Sequence, residues 1–262
     1  MDQEKAPQTE NSAIEKLPGG VKLSWGLVKQ PQRGPKRELS IAQIVETAVN
    51  LADAEGLAAV SMGRVASELG FTAMSLYRYI PSKGDLLLLM QDSVSNIAIP
   101  PVEEEMDWRD SMRDFVRSSM NVFREHPWFG DIPITSSPVT PNLLRIVDWG
   151  LRCMRNFALN DYEKMSIVVL LSSFARSSGI IQRDVDRVKA AGSGQEQNGD
   201  PDYGSALKML VTEDRYPDLY PVLVSGAYTE ENQEFDSAAS DFEFGLERIL
   251  DGVECYLDEK SR

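Results

Sequence analysis

Apolar residues recur at helical spacing along most of this chain and nowhere alternate over any length, which predicts an all-α protein. The densest pattern runs from Ser40 to Asp85 and reads as three short helices. Ser40 and Gln43 match a capping box, and Leu39 and Ile44 sit at hydrophobic-staple positions. Ile41, Ile44, Val45, Ala48 and Ala52 form one stripe, and Gly56 follows where a left-handed residue is wanted. A second helix starts at the Ser61 cap, buries Met62, Val65, Ala66 and Leu69, and ends at Gly70. Thr72 caps the third, with Phe71 and Leu76 again at staple spacing. Leu76 and Ile80 face inward, so at about 100° per residue Met74 and Arg78 point away from them. Ser75, Tyr77 and Tyr79 lie on the flanks. Two helices joined by a glycine turn, the second with a polar-aromatic outer face, describe a helix-turn-helix.

A fourth helix is expected from Ser82 to about Ile97, apolar around much of its girth and so sandwiched between neighbours. Further helices are expected over 107–125, from Pro141 to about Phe157, from Asp161 to about Val188, from Ser205 to about Glu213 and from about Phe235 to Leu257. In all, the chain reads as about nine or ten helices. Residues 1 to about 28 are rich in polar side chains, Pro and Gly, and disorder is expected there. Val21 to Leu27 is less polar and is expected to dock on the body or to order on DNA. Residues 30–37 read as an extended basic arm, open to two uses: lying along DNA or remaining a solvated tail. Residues 189–204 are expected to be mobile.

Charge changes the picture. The 262 residues carry a net charge of −14, which argues against a general nucleic-acid coat. Residues 29–98 nevertheless hold 7 basic and 7 acidic side chains, whereas 99–262 hold 17 and 30. A neutral head with a basic lead-in on an acidic body suits local DNA contact. Cys153 and Cys255 lie far apart without metal spacing, so a reduced cytoplasmic setting is expected. The polar N-terminus is no signal peptide, and the longest apolar run, Ile167 to Leu171, is too short to span a bilayer.

The run LSIAQIVETAVNLADAEGLAAVSMGRVASELGFTAMSLYRYIPSKGDLL resembles the DNA-binding domain of the tetracycline-repressor (TetR) family, LYRYIPSK being its most recognisable part. FEFGLERILDGVE, 242–254, is similar to the closing helix of the tetracycline repressor's regulatory domain. The resemblance implies a helix-turn-helix domain over 38–84 and a larger helical ligand-binding and dimerisation domain over 85–262; composition makes 1–37 a flexible extension carrying the basic arm. The resemblance also implies a dimer packed through the last helix and an earlier long one. Phe242, Leu246, Ile249, Leu250 and Val253 lie on one stripe and are expected either at that interface or in the chain's own core.

For DNA, the outer face nominates Ala73, Met74, Ser75, Tyr77, Arg78 and Tyr79, with Arg78 either reading a base, since Arg commonly reads guanine, or holding a phosphate. Tyr77, Tyr79 and Lys83 match family positions that touch phosphate. Ser61, Thr72 and Arg64 can also reach the backbone, and Lys36 and Arg37 belong to the arm. At Gly63 the chain departs from the polar or basic residue many relatives carry. For a ligand, Met120, Phe123, Trp128, Trp149, Met154, Phe157 and Phe174 are pocket candidates, each also a candidate for plain core packing. Arg176 could pair with a ligand anion, an acidic side chain or a second subunit. His126, the only histidine, is either a helix-end feature or a ligand contact. No cofactor, metal or catalytic set is predicted, so an all-α enzyme and a ligand-free architectural DNA binder are the alternatives to a ligand-responsive, homodimeric repressor on a palindromic operator.

Overall fold

Ser40 opens the first helix of the N-terminal head as its capping-box signature requires. Its hydroxyl accepts from Gln43 N at 3.2 Å, and Gln43 Oε1 accepts from Ser40 N at 3.0 Å. The computed structural model describes residues 14–28, 39–101, 107–133, 139–192, 203–227 and 237–260. In chain order the α-helices are α1 (Gly19–Ser24), α2 (Ile41–Glu55), α3 (Met62–Leu69), α4 (Ala73–Tyr77), α5 (Lys83–Val94) and α6 (Trp108–Glu125). They continue as α7 (Pro141–Cys153), α8 (Asp161–Gly192), α9 (Tyr203–Leu210), α10 (Leu219–Val224) and α11 (Ser237–Lys260). Short 3-10 turns occupy Leu57–Ala59 and Pro127–Asp131. Among the described residues there is no strand.

The expected stripe of α2 is buried from Ile44 onward, with Ile41 only half-covered at its start. Gly56 ends that helix with φ +83°, but its ψ of 166° lies outside the left-handed helical well. Gly70 does adopt that well, φ 75° and ψ 30°, and Phe71 N reaches back to Ala66 O at 2.8 Å. That closes the α3–α4 turn as a left-handed C-cap, which a side chain would strain. α5 stops at Val94, short of the expected Ile97: Ser95 Oγ folds back onto Gln91 O at 2.7 Å. α7 likewise stops at Cys153, and α8 continues to Gly192, beyond the expected Val188.

The two N-terminal expectations part company. Disorder fails over 14–28, which is structured, whereas the docking expected of Val21 to Leu27 is seen: α1 packs along α5 with Val21 buried, and 29–38, with Lys36 and Arg37, lie outside the described residues. Packing, not propensity, forms this six-residue helix, which is far too short to stand alone.

The chain divides into two compact units whose break falls within α8, between Ile180 and Ile181. In the first, α6, α7 and α8 approach closely at two glycines. A Cβ on Gly150 would lie 3.1 Å from Phe115 and Val168, and one on Gly179 would lie 2.6 Å from Phe123 Cβ. The Asp161–Arg187 stretch of α8 is long and apolar enough to cross a membrane by length and composition alone, a test the isolated run Ile167 to Leu171 does not meet. Core helices of soluble proteins pass the same test, so this is weak ground for a membrane role. In the second unit Phe242, Leu246, Leu250 and Val253 of α11 are buried within the single chain and Ile249 is half-buried. Of the two roles open to that stripe, the single chain already occupies the core one.

Candidate nucleic-acid interface

The head presents its reading surface because α4 is pinned from beneath. Leu76 and Ile80 have no exposed surface, so the opposite side of the same turn must face out. Met74 is 75% exposed and Tyr77 45%, and Arg78 beside them is exposed and makes no ion pair among the described residues. Ala73 and Ser75 are half-buried, Tyr79 packs partly against the head's core, and Lys83 is exposed one turn later. An exposed methionine and an uncommitted guanidinium on one short helix turn form a surface that can meet base edges and phosphates.

The remaining nominees are placed differently. Ser61 caps α3 by accepting from Arg64 N at 3.2 Å. Thr72 occupies the N-cap position of α4, but its hydroxyl pairs with Ser75 Oγ at 3.0 Å rather than with the helix backbone. Arg64 lies between two carboxylates, 2.9 Å from Glu55 and 3.1 Å from Glu68. Reaching a phosphate would require it to leave both. Gly63 faces open space.

The pocket candidates separate into two groups. Trp128, Trp149 and Met154 are fully buried and pack the core, Trp149 edge-on to Phe115 with ring centroids 5.6 Å apart. Met120, Phe123, Phe157, Phe174 and Arg176 are half-buried. Phe123 and Arg176 come together where α6 crosses α8, the guanidinium 5.8 Å from the Phe123 ring centre, and the Met120 backbone carbonyl faces Gly179 at the same crossing. Arg176 takes a partner the sequence did not suggest. It donates to the backbone carbonyls of Gly130 at 2.6 Å and Ile132 at 3.1 Å, holding the segment that leaves α6.

His126 is the C-cap residue of α6, and its Nδ1 lies 3.0 Å from Asp53 Oδ1. Trp128 Nε1 donates to the same oxygen at 2.6 Å. Asp53 belongs to α2, so the sole histidine joins the end of α6 to the head. Asp92 makes a similar link from α5, accepting from Asn142 N at 2.8 Å in the first turn of α7. Neither link has a sequence signature, because the partners lie 73 and 50 residues apart.

Cys153 is chemically quiet. Burial pushes its thiol up to about 11, and Arg152 only partly offsets this. At pH 7 the group is almost wholly the unreactive thiol. A maleimide is therefore expected to modify the exposed Cys255 first and the half-buried Cys153 much more slowly, so that mass spectrometry of the native protein shows one addition well before a second.

Comparison with known proteins gives consistent results. Residues 44–90 match the family described as bacterial regulatory proteins, tetR family, and residues 100–257 match the tetracyclin repressor-like C-terminal domain. The HTH-type transcriptional repressor DrrR1 of Streptomyces coeruleorubidus is 32% identical over 260 residues, spanning 98% of this chain and 92% of that protein. The tetracycline repressor protein class E of Escherichia coli is 21% identical over 225 residues, 85% of this chain and 94% of that one. Among solved structures, ActR of Streptomyces coelicolor in complex with actinorhodin has a TM-score of 0.68 and 26% identity, covering 84% of this chain and 99% of that one.

Proposed function

The chain belongs to the TetR family of bacterial transcriptional regulators, and we propose on that footing that it is a repressor released from a palindromic operator by a small molecule. Regulators of this family bind operator DNA as dimers and respond to small-molecule ligands. The observation that carries the DNA reading is the reversal of burial across one helix turn, Met74 and Arg78 outside and Leu76 and Ile80 inside. Each subunit places α4 in a major groove, and two-fold symmetry makes the operator a palindrome.

The effector is assigned to the regulatory domain, near the half-buried Met120, Phe123 and Arg176. Those side chains suit an apolar, ring-containing molecule. ActR, which binds actinorhodin in its solved complex, supports a small-molecule effector here. The dimer surface is assigned to the exposed apolar face of α8, where Tyr162, Met165 and Val169 recur at helical spacing. We assign the protein no catalytic step and place it in the cytoplasm, where its DNA lies.

Arg78→Ala is the direct test. The DNA for it is a palindrome selected from random sequence by the parent protein. The variant is expected to lose about 1–3 kcal/mol of preference for that palindrome over a scrambled duplex, roughly 5- to 150-fold. Binding to the scrambled duplex should fall much less. Fluorescence anisotropy reads both. An undiminished preference would remove Arg78 from base recognition.

A further inference from the structure

The segment Ile14–Val28 lies outside both family matches, 44–90 and 100–257, yet it is built into the protein at two points. The first is Gly20. Its N–H donates to the carboxylate of Asp85, which is buried. The same carboxylate accepts from Ser82 Oγ at 2.7 Å, and Asp85 N donates to that hydroxyl at 3.0 Å. Asp85 thus ties α1 to the capped start of α5, immediately after the turn through Pro81 that leaves the reading helix. The approach tolerates no side chain: a Cβ on Gly20 would stand 2.7 Å from Asp85 O and 2.9 Å from its Cα. On Gly19 it would stand 3.2 Å from both Asp85 Oδ1 and Pro81 Cγ.

The second point is Trp25, whose Nε1 donates to Val139 O at 2.8 Å, directly before α7. α5 reaches the same place by its other end, through Asp92 and Asn142. Two elements therefore run between the start of α5 and the start of α7: α5 itself and the α1 segment beside it. One attachment would act as a pivot, whereas two in parallel oppose rotation of the head about α5.

We propose that Ile14–Val28 is a brace that fixes the orientation of the DNA-reading head, and that it thereby determines which spacing of operator half-sites the dimer accepts. The proposal deepens the operator reading above and rests on it. Gly20 and Trp25 are positioning residues in this scheme and contact no DNA.

The test uses full-length protein and the palindrome selected by the parent, with and without one base pair inserted at its centre. The parent is expected to prefer the native spacing by about tenfold. Gly20→Leu, which cannot seat against Asp85, should reduce that preference to about threefold or less while keeping its discrimination against a base change within one half-site. Trp25→Phe, which keeps the ring and removes the donor, should fall between the two and serves if Gly20→Leu folds poorly. Trypsin should cut faster after Lys22 in Gly20→Leu than in the parent. Unchanged cleavage overturns the docking, and unchanged spacing preference in both variants overturns the brace alone. A parent that selects no palindrome overturns the operator reading itself.

Discussion

Trp128→Ala is expected to cost about 3–5 kcal/mol of folding stability. The side chain is 1% exposed, so truncation opens a cavity in the core it shares with Phe129 and Val122. It also removes the indole N–H from Asp53, leaving His126 as the carboxylate's partner among the described residues. Trp128→Phe separates these effects, since it keeps much of the volume but lacks the donor. Its loss should be smaller, about 0.5–1.5 kcal/mol for the hydrogen bond, because Asp53 is exposed and keeps His126 as a partner. Urea denaturation of both variants checks the order. A loss below about 1 kcal/mol for Trp128→Ala would place the ring outside the core.

The second large effect comes from a substitution that helix propensity alone would favour. Replacing an interior helix glycine by alanine ordinarily stabilises by about 0.5–1 kcal/mol. At Gly252 in α11 nothing lies within 4 Å of the new Cβ, so Gly252→Ala should show that gain. At Gly179 the new Cβ would sit 2.6 Å from Phe123 Cβ and 3.2 Å from Met120 O. Neither atom lies at the end of a flexible side chain, so α6 and α8 must separate, and overpacking of this kind costs about 1–3 kcal/mol. The steric term outweighs propensity, so Gly179→Ala should melt below the parent and Gly252→Ala above it. Thermal melts of the pair decide the matter. The Gly179 crossing also carries Phe123 and Arg176, so loosening it should blunt any response to an effector bound there.

The elements that could be read from the chain are those encoded within one or two helix turns. The Ser40–Gln43 box, the Gly70 cap, the Leu76–Ile80 pair and the outward Met74 and Arg78 are all local patterns, and each stands in the structure where spacing put it. What escaped was long-range. Nothing beside Asp53 announces His126 and Trp128, and nothing beside Arg176 announces the carbonyls of Gly130 and Ile132. Such pairings are set by how helices cross, not by intervals along one of them. Pro18-Gly19-Gly20 misled in a different way. Two glycines among polar residues suggest a loose tail, yet here they allow a backbone to lie against Asp85. The short apolar stretch that follows, beginning at Val21, was the available sign that the tail has a seat.

The reading helix is five residues long, about 7.5 Å of axis at 1.5 Å per residue. Base pairs succeed one another about every 3.4 Å, so one copy of α4 can interrogate only a few letters at a time. A word that brief recurs by chance throughout a chromosome offering about a million or more rival positions. Doubling the reader squares the rarity of the message, so a lone subunit holding a flawless helix would still have no address.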